Sequence, residues 1–187
     1  MTSDPLRARP PADPRLRTPP AAAAGRDVDP ALYRQVVGRF ATGVAIVTAV
    51  RDGTDHAMTV NAFTSVSLDP LLVLVCVEKA ARFHDVVLDA GEWAVSVLTE
   101  DMRDASQWFA TRGRTLDGQL EGWEHTRGPA TGAAVFSRAV AALECRTHAV
   151  HDGGDHSIVV GEVLGLDVPD PDGRPLLYYE GAYRTLA

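Results

Sequence analysis

The chain is poor in the features that would mark it for nucleic acid, for a membrane or for a disulfide-stapled fold. Cysteine occurs twice in 187 residues, as Cys76 and Cys145. They stand far apart in apolar, strand-like surroundings, which argues against a disulfide framework and for a reducing, cytoplasmic compartment. Both suit a core better than a ligand set. No apolar run approaches the length of a membrane span, so no membrane partner is expected. An excess of basic residues is missing as well: 18 lysines and arginines face 25 acidic residues, a formal net charge of −7. Nucleic acid is therefore not an expected partner, because phosphate backbones are bound by basic surfaces. No glycine-rich dinucleotide fingerprint follows a strand, no serine sits in a nucleophile elbow, and neither cysteine has a histidine partner detectable in the sequence.

What is present has the balance of a globular domain, with 45% hydrophobic and 23% charged residues, and the length predicts one core. The charge is unevenly spread. Residues 1–26 carry five arginines and two aspartates, a balance of +3, which leaves 13 basic and 23 acidic residues, or −10, for the remainder. Six prolines, few large apolar residues and no stretch long enough for a signal peptide make residues 1–28 read as a disordered Pro/Ala/Arg-rich tail. Residues 29–187 read as the domain.

Asp29-Pro30 predicts a helix start, with Leu32, Val36 and Phe40 on one face. "GVAIVTAV" reads as a strand, "RDGTD" as a hairpin turn, and "HAMTVNAFTSVSLDP" as a return strand broken at Asp69-Pro70. The continuous run "LLVLVCV" predicts a central strand covered on both sides. A helix is expected over 81–90, a strand at "EWAVSVL", a helix over 100–110 with Met102, Ala105 and Phe109 inward, and a long connection from Thr111 to Ala134. Two long strands then flank Asp152-Gly153-Gly154-Asp155. Six or seven strands with little strand–helix alternation predict a mainly β, antiparallel barrel with flanking helices rather than a Rossmann sheet.

Four stretches could carry chemistry. The short residues Ala57, Thr59, Asn61 and Ser65 would let backbone groups approach a flat heterocycle, or form a polar edge strand. "EKAARFHD" follows the apolar run and opens a helix, so Lys79 and Arg82 could serve a phosphate, or an ordinary solvated turn. His148, His151 and His156 surround the tight turn; strand alternation speaks against a metal site, and a single imidazole there suits a polar substrate. Tyr178, Tyr179 and Tyr183 most simply pack, although one could cover a ring.

Taken in order, "GRFATGVAIVTA", "HAMTVNAFTSVSLDPLLVLVCV", "WAVSVL", "HDGGDHSIVVGEV" and "PLLYYEGAYR" resemble the flavin reductase family with an FMN-binding split barrel, over nearly all of residues 30–184. The resemblance implies an NAD(P)H:flavin oxidoreductase that passes hydride from NADH or NADPH to FMN or FAD and supplies a separate monooxygenase. Other split-barrel oxidoreductases, such as the pyridoxamine-phosphate oxidase type, and a non-catalytic flavin-binding module remain alternatives. It further implies a homodimer. Ala57, Met58, Thr59, Val60, Asn61 and Ala62, with a Ser65-Val66-Ser67 turn, would line the ring and ribityl chain. Cys76, Val77 and Glu78 would continue the wall, and Arg82 and Phe83 would meet the phosphate end. Gly154, Asp155 and His156 would form the nicotinamide side, His156 orienting the nicotinamide as the catalytic residue. The connection from Thr111 to Ala134 is expected to form a flap over the flavin. Ala62, Leu71 and Ala80-Ala81 depart from the family pattern, and they leave the preference between FMN and FAD open.

Overall fold

The computed structural model describes residues 28–186; residues 1–27 and Ala187, and with them nearly all of the expected tail, lie outside the described residues. Helix α1 (Pro30–Val37) starts as its sequence dictates. Asp29 accepts a hydrogen bond from the Ala31 N–H at 2.9 Å, and Pro30 occupies the first turn. The apolar stripe faces outward, however: Leu32, Val36 and Phe40 are 54%, 62% and 76% exposed.

After a short β1 (Thr42–Gly43), β2 (Ala45–Arg51) and β3 (Thr54–Val60) form a hairpin. Its turn residues Asp52 and Gly53 both take positive φ, 53° and 73°, the mirror-image turn that matches strand twist. β4 (Phe63–Leu68), β5 (Leu71–Glu78), α2 (Arg82–Ala90) and β6 (Glu92–Val97) follow. A single 3₁₀ turn leads into α3 (Arg103–Ala110). The expected long connection from Thr111 to Ala134 ends in a small hairpin, β7 (His125–Arg127) with β8 (Ala134–Phe136). β9 (Ala141–Gly153) and β10 (His156–Asp167) are the two long strands, joined through Gly154 and Asp155. β11 (Leu177–Tyr179) and β12 (Ala182–Arg184) pair with each other, and β11 with β1.

The main sheet has seven antiparallel strands in the order β3-β2-β6-β9-β10-β5-β4. Its two edge strands, β3 and β4, are neighbours in sequence, joined only by Asn61 and Ala62. In a flat sheet six strand spacings would separate them by about 29 Å, whereas the link reaches about 11 Å at most. The sheet must therefore curl until its edges meet. No ladder joins β3 to β4; the Cys76 N–H, donating to the Ala62 carbonyl at 3.0 Å, continues the β4–β5 ladder into the link. The barrel is antiparallel, curled and split.

Two large apolar clusters fill most of it, and Ala94, Ala133, Val135 and Ala142 form a smaller third. One gathers Val47, Val75, Trp93 and Cys145 beneath α2, through Phe83, Val86 and Val87. The other packs Ile46, Leu98, Phe136 and Leu176 against Ala105 and Phe109 of α3. Burial on both faces falls on β2 and β6, not on β5 as the apolar run had predicted. Val73, Val75 and Val77 point inward, but Leu72, Leu74 and Cys76 are only half-buried. α3 lies against β2 and β3 rather than against that second face of β5.

Candidate functional site

A cleft of about 510 Å³ opens beside the split, a volume within the range of small-molecule sites. One wall is the edge of β3 and the link after it, from His56 to Ala62. Across the split stand Cys76 and Glu78 of β5, then Ala80 to Phe83 leading into α2. His156, at the start of β10, pairs in register with Glu78 and so arrives at the same mouth. The loop after α3 supplies Thr111, Arg112, Gly113, Arg114 and Leu116.

β3 offers its free edge to this cleft. Gln119 Nε2 donates to the Asp55 carbonyl, and an Arg114 guanidinium nitrogen donates to that of Ala57. In an antiparallel strand, alternate residues direct both backbone groups to the same side. Thr59 therefore presents its N–H and C=O there too, next in line and beyond the reach of those side chains. The Thr59 hydroxyl itself is engaged, donating to the Ser106 carbonyl at 2.7 Å. Short side chains at Ala57, Ala62, Ala80 and Ala81 leave room for something flat.

The cleft concentrates positive charge in an acidic chain. Arg82, Arg112 and Arg114 line it, and Glu78 is the sole carboxylate among the lining residues. Arg82 donates to the Arg114 carbonyl at 2.7 Å, and Arg112 Nη2 donates to both Glu78 oxygens at 2.8 and 2.6 Å. The Arg114 guanidinium stands 5.4 Å from the Phe109 ring centroid, and its Nε is buried without a partner. Burial, and then the neighbouring Arg82, lower its pKa. His56 is lowered as well, first by burial and then by Arg51, Arg82 and Arg114 against the opposing pull of Asp55. α2 begins at Ala81 with no side chain to cap its first turn, so N–H groups there are free for an anion beside Arg82.

Of the residues expected at the site, Ala57, Met58, Thr59, Val60, Asn61, Ala62, Cys76, Glu78, Arg82, Phe83 and His156 line this one cleft. Val77 does not: it alternates inward and is fully buried. Ser65, Val66 and Ser67 belong to β4 rather than to a turn, with a bulge between Ser65 and Ser67 that drops Val66 out of register. They lie outside the cleft lining, as do Gly154 and Asp155 at the hairpin end. Lys79, the chain's one lysine, is turned to the hairpin: Nζ pairs with Asp152 and donates to the Gly154 carbonyl at 2.6 Å. The hydrogen bond from Nζ, and then its charge, hold the Asp152 carboxyl below the usual range. A hydrogen bond with His156, Nδ1 2.7 Å from Oδ1, lowers the Asp155 carboxyl.

Tyr178 and Tyr183 meet edge to face at 5.6 Å, and the Tyr183 hydroxyl bonds Ser106 Oγ at 2.8 Å; no tyrosine lines the cleft. Ladder pairing jumps from Ala149 to Thr147, leaving His148 in a bulge, and among the described residues no three His, Cys, Asp or Glu side chains gather as a metal site. Sequence reasoning missed His56, Phe109 and the two arginines Arg112 and Arg114. Its one clue was a pair of cations around Gly113, in the segment expected to form a flap.

These features define a split antiparallel barrel with a cationic cleft for a flat, anionic small molecule. Residues 37–187 match the flavin reductase like domain. The FMN reductase (NADH) SmoA of Agrobacterium fabrum is 41% identical over 151 residues, 81% of this chain and 83% of that protein. The reductase subunit HsaB of a flavin-dependent monooxygenase of Mycobacterium tuberculosis is 35% identical over 157 residues, 83% and 82% of the two chains. Among solved structures, the NADH:FAD oxidoreductase SgcE6 of Streptomyces globisporus, in complex with NAD and FAD fragments, superposes with a TM-score of 0.80 at 38% identity, covering 87% of this chain and 98% of that one. The chain belongs to the flavin reductase-like family and is an oxidoreductase of that class.

Proposed function

We propose that the protein is an NAD(P)H:flavin oxidoreductase that reduces FMN or FAD in this cleft and hands the product to a separate monooxygenase. The observation that carries the reading is the pairing of an open backbone edge at Thr59 with three arginines in one cleft of an acidic chain. The edge suits the acceptors and donor of a flavin pyrimidine ring, and the cations suit its phosphate. When bound, the flavin supplies the ring that accepts hydride from the nicotinamide. The chain's own task is to seat the two rings and exclude water. Ala57 to Ala62 hold the ring, Cys76 and Glu78 continue the wall, and Arg82 with Phe83 and the open turn of α2 meet the phosphate. Asp155 fixes His156 through Nδ1, which leaves Nε2 to orient the nicotinamide amide.

Relatives named as reductase subunits support the handover to an oxygenase, and the absence of side-chain hydroxyls at the start of α2 supports a flavin that can leave. A cytoplasmic setting is supported by two unpaired thiols. The test is NADH and NADPH oxidation on adding free FMN or FAD. Rapid consumption with at least one pair is expected, and a protein that binds flavin but stays inert to both nicotinamides would be a binding module instead.

A further inference from the structure

The loop from Thr111 to Leu116 is fastened across the split. On the β3 side Arg114 holds the Ala57 carbonyl. On the β5 side Arg112 grips Glu78, and Arg82 donates to the Arg114 carbonyl. Every fastening uses one of the three cations that line the cleft, and only one acceptor is itself charged. Glu78, the lone carboxylate of the lining, offers Arg112 two oxygens from within the protein. Those are the contacts a phosphate group would make.

We propose that Glu78 tempers the affinity for the phosphorylated flavin: its carboxylate occupies Arg112 until a phosphate displaces it, an exchange that riboflavin, having no phosphate, cannot drive. This rests on the flavin reading above. The exchange is easy because the Arg112 side chain is 80% exposed and exposed ion pairs are weak. An internal competitor lowers the apparent affinity of an incoming anion by the fraction of time it occupies the cation. Glu78 therefore sets how tightly phosphate is held and how readily the loop is released.

Flavin fluorescence quenching with FMN and with riboflavin reads this directly in wild type, Glu78→Gln, Arg112→Gln and the double variant. Glu78→Gln should raise the ratio of FMN to riboflavin affinity about two- to fivefold, the range an exposed pair spans. In the Arg112→Gln background the same change should have no effect. A gain that persists without Arg112 would make Glu78 a source of diffuse repulsion and overturn the proposal, as would equal shifts for both flavins. Wild type that quenches neither flavin would defeat the flavin reading and this inference with it. Hydrogen exchange of wild type supplies a check free of substitutions: FMN should change protection over residues 111–116 and riboflavin should not, and identical patterns would overturn the exchange.

Discussion

His56 and His156 are the two imidazoles that line the cleft, and their surroundings give them different duties. His156 is half-exposed and tethered to Asp155, a posture for contacting a mobile partner. His156→Ala is expected to raise the KM for NADH about five- to tenfold, the loss of one hydrogen bond, while flavin affinity stays within about twofold. Equal losses in both would make the residue structural. His56 is buried among cations, so folding favours its neutral form. Its folded pKa lies below the ordinary 6.5. The unfolded chain then binds the extra proton first, and stability is full above that value and falls as pH drops through it. Thermal midpoints should decline from about pH 7.5 to about pH 5, with a smaller decline in His56→Gln. The thiols do not share this traffic. Burial, with Glu144 beside it, pushes Cys145 up to about 12, and burial raises Cys76, so both stay protonated at neutral pH.

Single strands and turns carried most of what could be read in advance. The α1 cap, the Asp52-Gly53 turn and the hairpin at Gly154 depend on residues adjacent in sequence, and each formed where its chemistry demanded. The β3 stretch, the end of β5 and the start of α2 were likewise contiguous with their signals. Arg112 and Arg114 were not, because they reach the cleft from a segment some fifty residues after β3 in the chain, and nothing local reports that crossing. The β5 run misled for a related reason: hydrophobicity records that a face wants cover, not which element provides it. β10 offers a sharper test of element packing. A Cβ on Gly161 would run into Cζ2 of the fully buried Trp93 and stand 3.0 Å from Cys145 Cβ. Gly161→Ala should destabilise the fold by about 1–3 kcal/mol, read as a lower urea midpoint with an unchanged slope.

At the scale of the molecule, unpartnered apolar surface is the leading feature. α1 exposes Leu32, Tyr33 and Val36, the segment after it exposes Phe40, and β4 exposes Val66 and Leu68, the latter 85% open. We propose that a second copy covers them, forming a homodimer. Sedimentation in dilute buffer should give a dimer, and Val36→Asp with Phe40→Asp should shift it toward monomer; a wild-type monomer with full reductase activity would refute the assembly. Residues 1–28 are proposed to stand outside this domain, since their composition provides little to bury. Deleting residues 1–26 should leave the thermal midpoint and turnover unchanged, and a large fall in either would make the segment part of the fold.

The link through Asn61 and Ala62 gives the cleft a mechanical meaning. Those two residues join the strands at opposite ends of the sheet order, and they also line the cleft. A molecule seated against them bears on both margins of the curled sheet at once and acts as a rivet. Its binding free energy is then added to whatever resists the parting of those margins, so the reductase is at its stiffest while loaded and slackens each time it lets its product go.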